Sequence, residues 1–232
     1  MNLQQMRGQV VQWIGLQDIT AYDETTLAET LLYLGTLDLL SRTRCVARCV
    51  NLNVSAGIDT YTLDHSILAL VDVEDGARRR ARRDEVVSSS DAVVVYPAGA
   101  ANTTPTTFTL IRADVIRFAP APTANGTIQV WAVLRPIQMT GDTDSPGQEQ
   151  YGGIPDEWHD AIVTYALWKA ADYADDSSAQ QGERYRMLYE GQDGRGGRLG
   201  QIRTAVNKRG TARAANRRVN LKGVPSNGAW VG

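Results

Sequence analysis

Cysteine and histidine are nearly missing from this chain: each occurs only twice in 232 residues. Cys45 and Cys49 sit four apart, while His65 and His159 lie far from them and from each other. A structural zinc site needs four ligands, so this set excludes one. In a reducing compartment two such thiols read as small core residues, not as a disulfide. Long apolar runs are lacking as well. No stretch reaches the roughly eighteen residues that a membrane-spanning helix requires. The opening Met1-Asn2-Leu3-Gln4-Gln5-Met6-Arg7 has no apolar signal segment. The expectation is a product of the cytoplasm with no membrane step.

Catalytic motifs are equally scarce. There is no phosphate-cradling glycine loop followed by Lys and Ser/Thr, and no Gly-x-Ser-x-Gly elbow. The glycines of 191–200 follow a predicted helix instead of preceding one, which is the wrong geometry for holding a phosphate at a helix start. Glu157, His159 and Asp160 crowd a helix start, but adjacent helical positions face different directions. Asp172, Asp175 and Asp176 stand at a helix end, where acid opposes the dipole. They answer to solvent or to a group outside the helix, a divalent ion included. Together these features predict a protein that is not an enzyme and has no cofactor or metal.

What is present is an ordinary globular balance, 43% hydrophobic and 22% charged, enough for a sizeable core. The most informative stretch is Ile154–Asp176. Pro155 suits a first helical position, and Asp156, Glu157 and Asp160 suit the positive end of the helix dipole. Trp158, Ile162, Tyr165 and Trp168 then cover one side, with Val163, Ala166, Leu167, Ala170 and Ala171 around much of the rest. A helix apolar all round is buried on several sides, and one of those sides suits another subunit.

Helical spacing also marks residues 2–14, with Leu3, Met6, Val10 and Trp13, and residues 24–41, with Leu27, Leu31, Leu34 and Leu37 behind an Asp23 cap. From Arg44 the period becomes strand-like. Val46–Val54, Asp59–Leu63, Ile67–Val73, Arg82–Val87, Ala92–Tyr96, Thr106–Arg112, Asp114–Phe118 and Thr127–Leu134 are separated by turn residues, the spacing of an antiparallel sandwich or barrel. Residues 135–150 have the composition of a loop, long enough to be functional or mobile. A last helix at about 177–190 carries Tyr185, Leu188 and Tyr189 and stops at Gly191. The fold class is therefore α+β. A helical bundle from 1–43 and 151–190 (two N-terminal and two C-terminal helices) carries an inserted antiparallel β-sandwich or barrel at 44–134. An extended tail occupies 191–232.

Charge divides the same way. The tail holds nine Lys/Arg against Asp193 alone, a balance of +8, while the rest carries 15 basic and 25 acidic residues, or −10. Such a tail, poor in large apolar groups until Val219–Trp230, is expected to be flexible and to order on a partner. Its basic and apolar candidates are Arg203, Lys208, Arg209, Arg213, Arg217, Arg218, Leu221, Lys222 and Trp230. Duplex DNA would satisfy the cations, but the apolar cluster favours a protein. A second basic run, Arg78-Arg79-Arg80-Ala81-Arg82-Arg83, is flanked by Glu74, Asp75, Asp84 and Glu85. It reads as a self-paired connection, or as a contact to an acidic neighbour or DNA.

One family likeness is carried by Ile154-Pro155, His159-Asp160-Ala161-Ile162-Val163 and Tyr165-Ala166, followed by Tyr185 and Tyr189. This pattern resembles the head-to-tail adaptor proteins of tailed bacteriophages. In outline the likeness extends over residues 2–42 and 151–190. It implies a structural protein of the virion neck, made in the host cytoplasm, that forms a dodecameric ring beneath the portal. The C-terminal extension would dock on the portal, tail or nozzle proteins would attach opposite, and double-stranded DNA would pass without specific recognition. Trp158, Ile162, Tyr165, Trp168, Tyr185 and Tyr189 would then build the subunit interface. Two other readings stay open: a β-sandwich that binds carbohydrate or a virion protein, and a non-specific DNA-binding protein using the basic tail.

Overall fold

A computed structural model describes residues 1–16, 23–74, 82–83, 107–112, 114–173, 179–192 and 196–208. The chain is a mixture of helix and sheet. Helices α1 (Leu3–Leu16) and α2 (Glu24–Thr43) come first, and β1 (Arg48–Val54), β2 (Thr60–Thr62), β3 (Ile67–Glu74), β4 (Arg82–Arg83), β5 (Thr107–Arg112), β6 (Val115–Ala119) and β7 (Gly126–Leu134) follow. Helices α3 (His159–Ala170) and α4 (Ala179–Glu190) come next. A further helix, α5, runs over 198–208.

The starts of α2 and α3 have local causes. Asp23 caps α2, its carboxylate accepting from Thr26 N at 2.8 Å. Pro155 is not the first residue of α3. It is extended, with ψ 142°, and precedes a 3-10 turn, Asp156–Trp158, after which α3 begins at His159. Fixed φ therefore sets the approach to the turn while the turn supplies the first hydrogen bond, from Trp158 N to Pro155 O at 2.9 Å. On α1 the spacing holds in full: Leu3, Met6, Val10, Trp13 and Ile14 are all buried. On α2 it slips. Leu27, Leu31, Leu32, Leu39 and Leu40 are buried, but Leu34 is 41% exposed, because Gly35 and Thr36 hold the buried face at that level.

Gly35 is where α2 and α3 come closest. A Cβ built there would stand 3.0 Å from Tyr165 Cδ1 and 3.1 Å from the Ile162 carbonyl oxygen. Gly35→Leu is therefore expected to force the helices apart and cost about 1–3 kcal/mol or more. Chemical denaturation of the purified chain would read this as a lower midpoint; an unchanged midpoint would contradict the close packing.

The described strands form two sheets, with orders β1-β7-β3 and β2-β6-β5-β4. The first is antiparallel throughout, with Val50 opposite Val130 and Leu70 opposite Ala132. The second departs from the all-antiparallel expectation at β4, which lies parallel to β5 with Arg82 opposite Thr107. A parallel neighbour needs a long return connection, and residues 84–106 supply the length. The expected strand Ala92–Tyr96, most of Arg82–Val87 and the arginines at 78–80 fall outside the described residues.

Alternation along β7 joins the two cores. Ile128, Val130 and Ala132 pack with Val54, Leu63, Leu70, Phe108, Ile116 and Phe118 between the strands. Val133, on the opposite face, belongs to the helical core of α1, α2, α3, α4 and α5. Because β1 pairs with β7, the chain enters and leaves the β region side by side.

Candidate assembly surfaces

Helix α3 sits at the centre of the helical body, packed by α1, α2 and α4. His159 shows how its start is fixed. The ring is fully buried, with Nε2 2.8 Å from the Ile154 carbonyl oxygen and Nδ1 3.0 Å from the Met1 nitrogen. With the proton on Nε2, the ring donates to Ile154 and accepts from Met1, so neither buried nitrogen is orphaned. Its role is structural.

The connection before α3 is built, not loose. Leu3 N donates to Asp144 O at 2.6 Å and Gln4 N to Asp142 O at 3.2 Å, so its carbonyls satisfy orphan donors at the start of α1. Arg7 ties Glu29 of α2 and Asp142 of the connection at 2.7 Å each. Gly152 and Gly153 carry φ of 122° and 66°, backbone settings that glycine alone adopts at low cost. The Asp144 carboxylate accepts from Gly141 N at 2.7 Å and Thr140 N at 3.0 Å. These amides, Gly141 foremost, hold its pKa below the usual carboxylate value, with help from the Tyr151 hydroxyl. A depressed folded-state pKa stabilises the fold above the unfolded value, about 3.9, and that stabilisation is lost as pH falls through the lower folded value. Asp144→Asn should thus be less stable than the parent at pH 7, with the gap closing towards pH 2. A gap that did not change with pH would contradict this anchoring.

Tyr165, Trp168 and Tyr189 form one aromatic cluster, with ring centroids 5.3 to 6.3 Å apart. The Tyr189 hydroxyl donates to Asp38 at 2.7 Å, and burial together with that carboxylate pushes its phenol pKa far above the ordinary value. Next to it Arg42 pairs with Glu190 at 2.6 Å.

The six residues expected at a subunit interface therefore divide. Trp158, Ile162 and Tyr189 are 7%, 0% and 0% exposed and lie in the protomer's own core. Around α3 the chain itself covers Ile162, Val163, Ala166 and Ala170 and leaves Tyr165, Leu167 and Trp168 half-covered. Tyr165, Trp168 and Tyr185 are half-buried. Among the described residues, the large apolar side chains facing outward from the helical body are Leu34, Tyr173, Met187 and Leu188, the last two 48% and 52% exposed.

The tail departs from expectation too. Residues 198–208 are helical, and Leu199 and Ile202 are buried in the helical core. Arg198 pairs with Asp160 of α3 at 2.5 Å, and Arg203 donates to the Arg42 carbonyl at 3.1 Å, a cation at the negative end of α2. Arg203 is thus half-buried and turned towards the protomer's own α2. Lys208 is exposed at the end of α5, while Arg209, Arg213, Arg217, Arg218, Leu221, Lys222 and Trp230 lie outside the described residues. The signal for α5 was in the sequence: Leu199, Ile202 and Val206 recur at i, i+3 and i+7.

A cleft of about 230 Å³ opens between the first sheet and the 135–153 connection, lined among others by Val46, Arg48, Arg135, Ile137 and Glu149. Arg48 pairs with Glu149 at 3.1 Å. Among the described residues no three His, Cys, Asp or Glu side chains group as metal ligands, and Asp172 pairs with Lys169 at 3.2 Å. No described helix is long and apolar enough to cross a membrane.

Comparison with curated proteins gives no match. The model of one family does match, over residues 1–219, which is nearly the whole chain. The chain belongs to that family, the SU10 adaptor proteins, a family of phage adaptors.

Proposed function

We propose that the protein is a head-to-tail adaptor of the virion neck, a structural component without enzymatic activity. Copies form a dodecameric ring beneath the portal, the chain beyond α5 docks on the portal, and tail or nozzle proteins attach on the opposite side. Double-stranded DNA passes through the ring unread. The observation that carries this reading is the family match over residues 1–219, which favours neither the carbohydrate-binding nor the DNA-binding alternative.

The protomer's surface supports a ring contact made by the helical body. Met187 and Leu188 stand side by side on the outward face of α4, and Leu34 and Tyr173 are exposed on neighbouring helices. A closed ring needs a heterologous contact in which such a patch meets a different surface of the next copy. Docking falls to Arg209, Arg213, Arg217, Arg218, Leu221, Lys222 and Trp230, where many weak contacts in one ring add by avidity.

Replacing both Met187 and Leu188 by Glu tests the contact. Exposed positions of this kind change stability by about 0.5 kcal/mol or less, so the isolated chain should keep its denaturation midpoint. Sedimentation with portal rings should show the variant failing to co-migrate as a full ring. Co-migration like the parent's would remove α4 from the interface.

A further inference from the structure

Among the described residues strand β1 is an edge of its sheet, with β7 its one neighbour in the order β1-β7-β3. Every second residue of an edge strand turns its N–H and C=O away from the sheet. Among the described residues, no backbone hydrogen bond other than the β7 ladder involves Cys49–Val54. The side chains tell the same story. Val50 and Leu52 point to the inner face yet are only half-buried, and Cys49, Asn51 and Asn53 alternate with them on the exposed face. An inner-face residue that is half-covered at an edge lacks a lateral neighbour.

The chain carries a segment of matching pattern. Arg218-Val219-Asn220-Leu221-Lys222 alternates polar and apolar with the period of a strand, and its Val-Asn-Leu repeats Val50-Asn51-Leu52 of β1. We propose that this segment of the same chain adds to the free edge of β1 as a fourth strand. Val219 and Leu221 then cover Val50 and Leu52, and Arg218, Asn220 and Lys222 face solvent beside Cys49, Asn51 and Asn53.

The reach is short. Arg203 of α5 is fixed to the carbonyl of Arg42, and β1 begins six residues after Arg42. From Lys208, the nine residues 209–217 can span up to about 30 Å extended. The seat is therefore within reach of the chain's own tail. The added strand sets where the last ten residues, Trp230 among them, leave the sheet. This inference does not rest on the adaptor reading; with Leu221 covering the protomer's own sheet, docking on a partner falls to the residues outside 218–222, Trp230 among them.

Native Cys49 is exposed and offers the test. With Val219 and Leu221 on the inner face, residue 218 lies opposite Cys49 if the strands are parallel, and residue 222 if they are antiparallel. Paired residues of neighbouring strands fall within disulfide reach. Arg218→Cys and Lys222→Cys are made separately in full-length chain with Cys45→Ser, and oxidised at several dilutions. One of them should form a disulfide to Cys49 within single chains, at a yield independent of dilution. In addition, removing 209–232 should speed hydrogen exchange at the outward amides of β1 at least tenfold. A disulfide found only between chains, no disulfide in either variant, or unchanged exchange would each overturn the proposal.

Discussion

Trp158→Ala is expected to destabilise the isolated protomer by about 3–5 kcal/mol, the range for emptying a buried large aromatic site. Trp158 is 7% exposed and sits in the helical core with Met6, Leu32, Ile154 and Ile162. Ile162→Ala, at a fully buried position, should cost about 2–5 kcal/mol by the same mechanism. Either is a large share of the roughly 5–15 kcal/mol that holds a typical domain folded. Urea unfolding at low protein concentration reads both losses as falls in midpoint. The experiment separates the two roles that an all-round apolar helix can play. A side chain reserved for a neighbouring subunit would leave the monomer's midpoint unchanged and reduce only assembly. An unchanged midpoint would therefore place Trp158 outside the protomer core.

The second large effect concerns where the body ends. Ending the chain after Glu190 removes Leu199 and Ile202 from the core, worth about 1.5–3 kcal/mol each on burial. It also removes the contacts of Arg198 with Asp160 and of Arg203 with the Arg42 carbonyl. A loss of about 3–6 kcal/mol is expected, against a far smaller one when the chain ends after Lys208. Denaturation of the two truncations side by side checks this. Equal midpoints would mean that α5 adds nothing to the fold. The comparison also governs docking experiments, because only the truncation after Lys208 removes the proposed docking residues from an intact body.

Much of the fold could be read from the sequence because its elements obey simple periods. The three- and four-residue steps of α1, the alternation of β7 and the Asp23 cap each have a direct physical cause in neighbouring residues. What was hidden depends on relations between distant residues. The period of α3 establishes burial all round but carries no record of whether the cover comes from α1, α2 and α4 or from another copy. Leu34 fits the seam of α2 by spacing, yet Gly35 decides the close approach and leaves Leu34 outside. The 135–153 connection has a loop's composition, and its order comes from Arg7, Leu3 and Gln4, more than 130 residues away. Helix α5 was masked by the glycines before it and the cations within it, although its apolar spacing was regular.

For the candidate surfaces, the aromatic residues were visible but their division was not. Tyr189 looks like Tyr185 in sequence. Asp38 and the rings of Tyr165 and Trp168 draw it inside, while Tyr185 stays half-buried against Trp13. Leu188 stands with Tyr185 and Tyr189 in the helical spacing, yet it faces outward beside Met187.

The central claim, that this member of the SU10 adaptor family forms a ring on the portal, is tested most directly by electron microscopy of the full-length chain mixed with portal rings of its phage. A closed ring of added density on one face of the portal, absent when residues 209–232 are removed, is the predicted result. Portal rings that remain bare at saturating concentrations of the intact chain would contradict it.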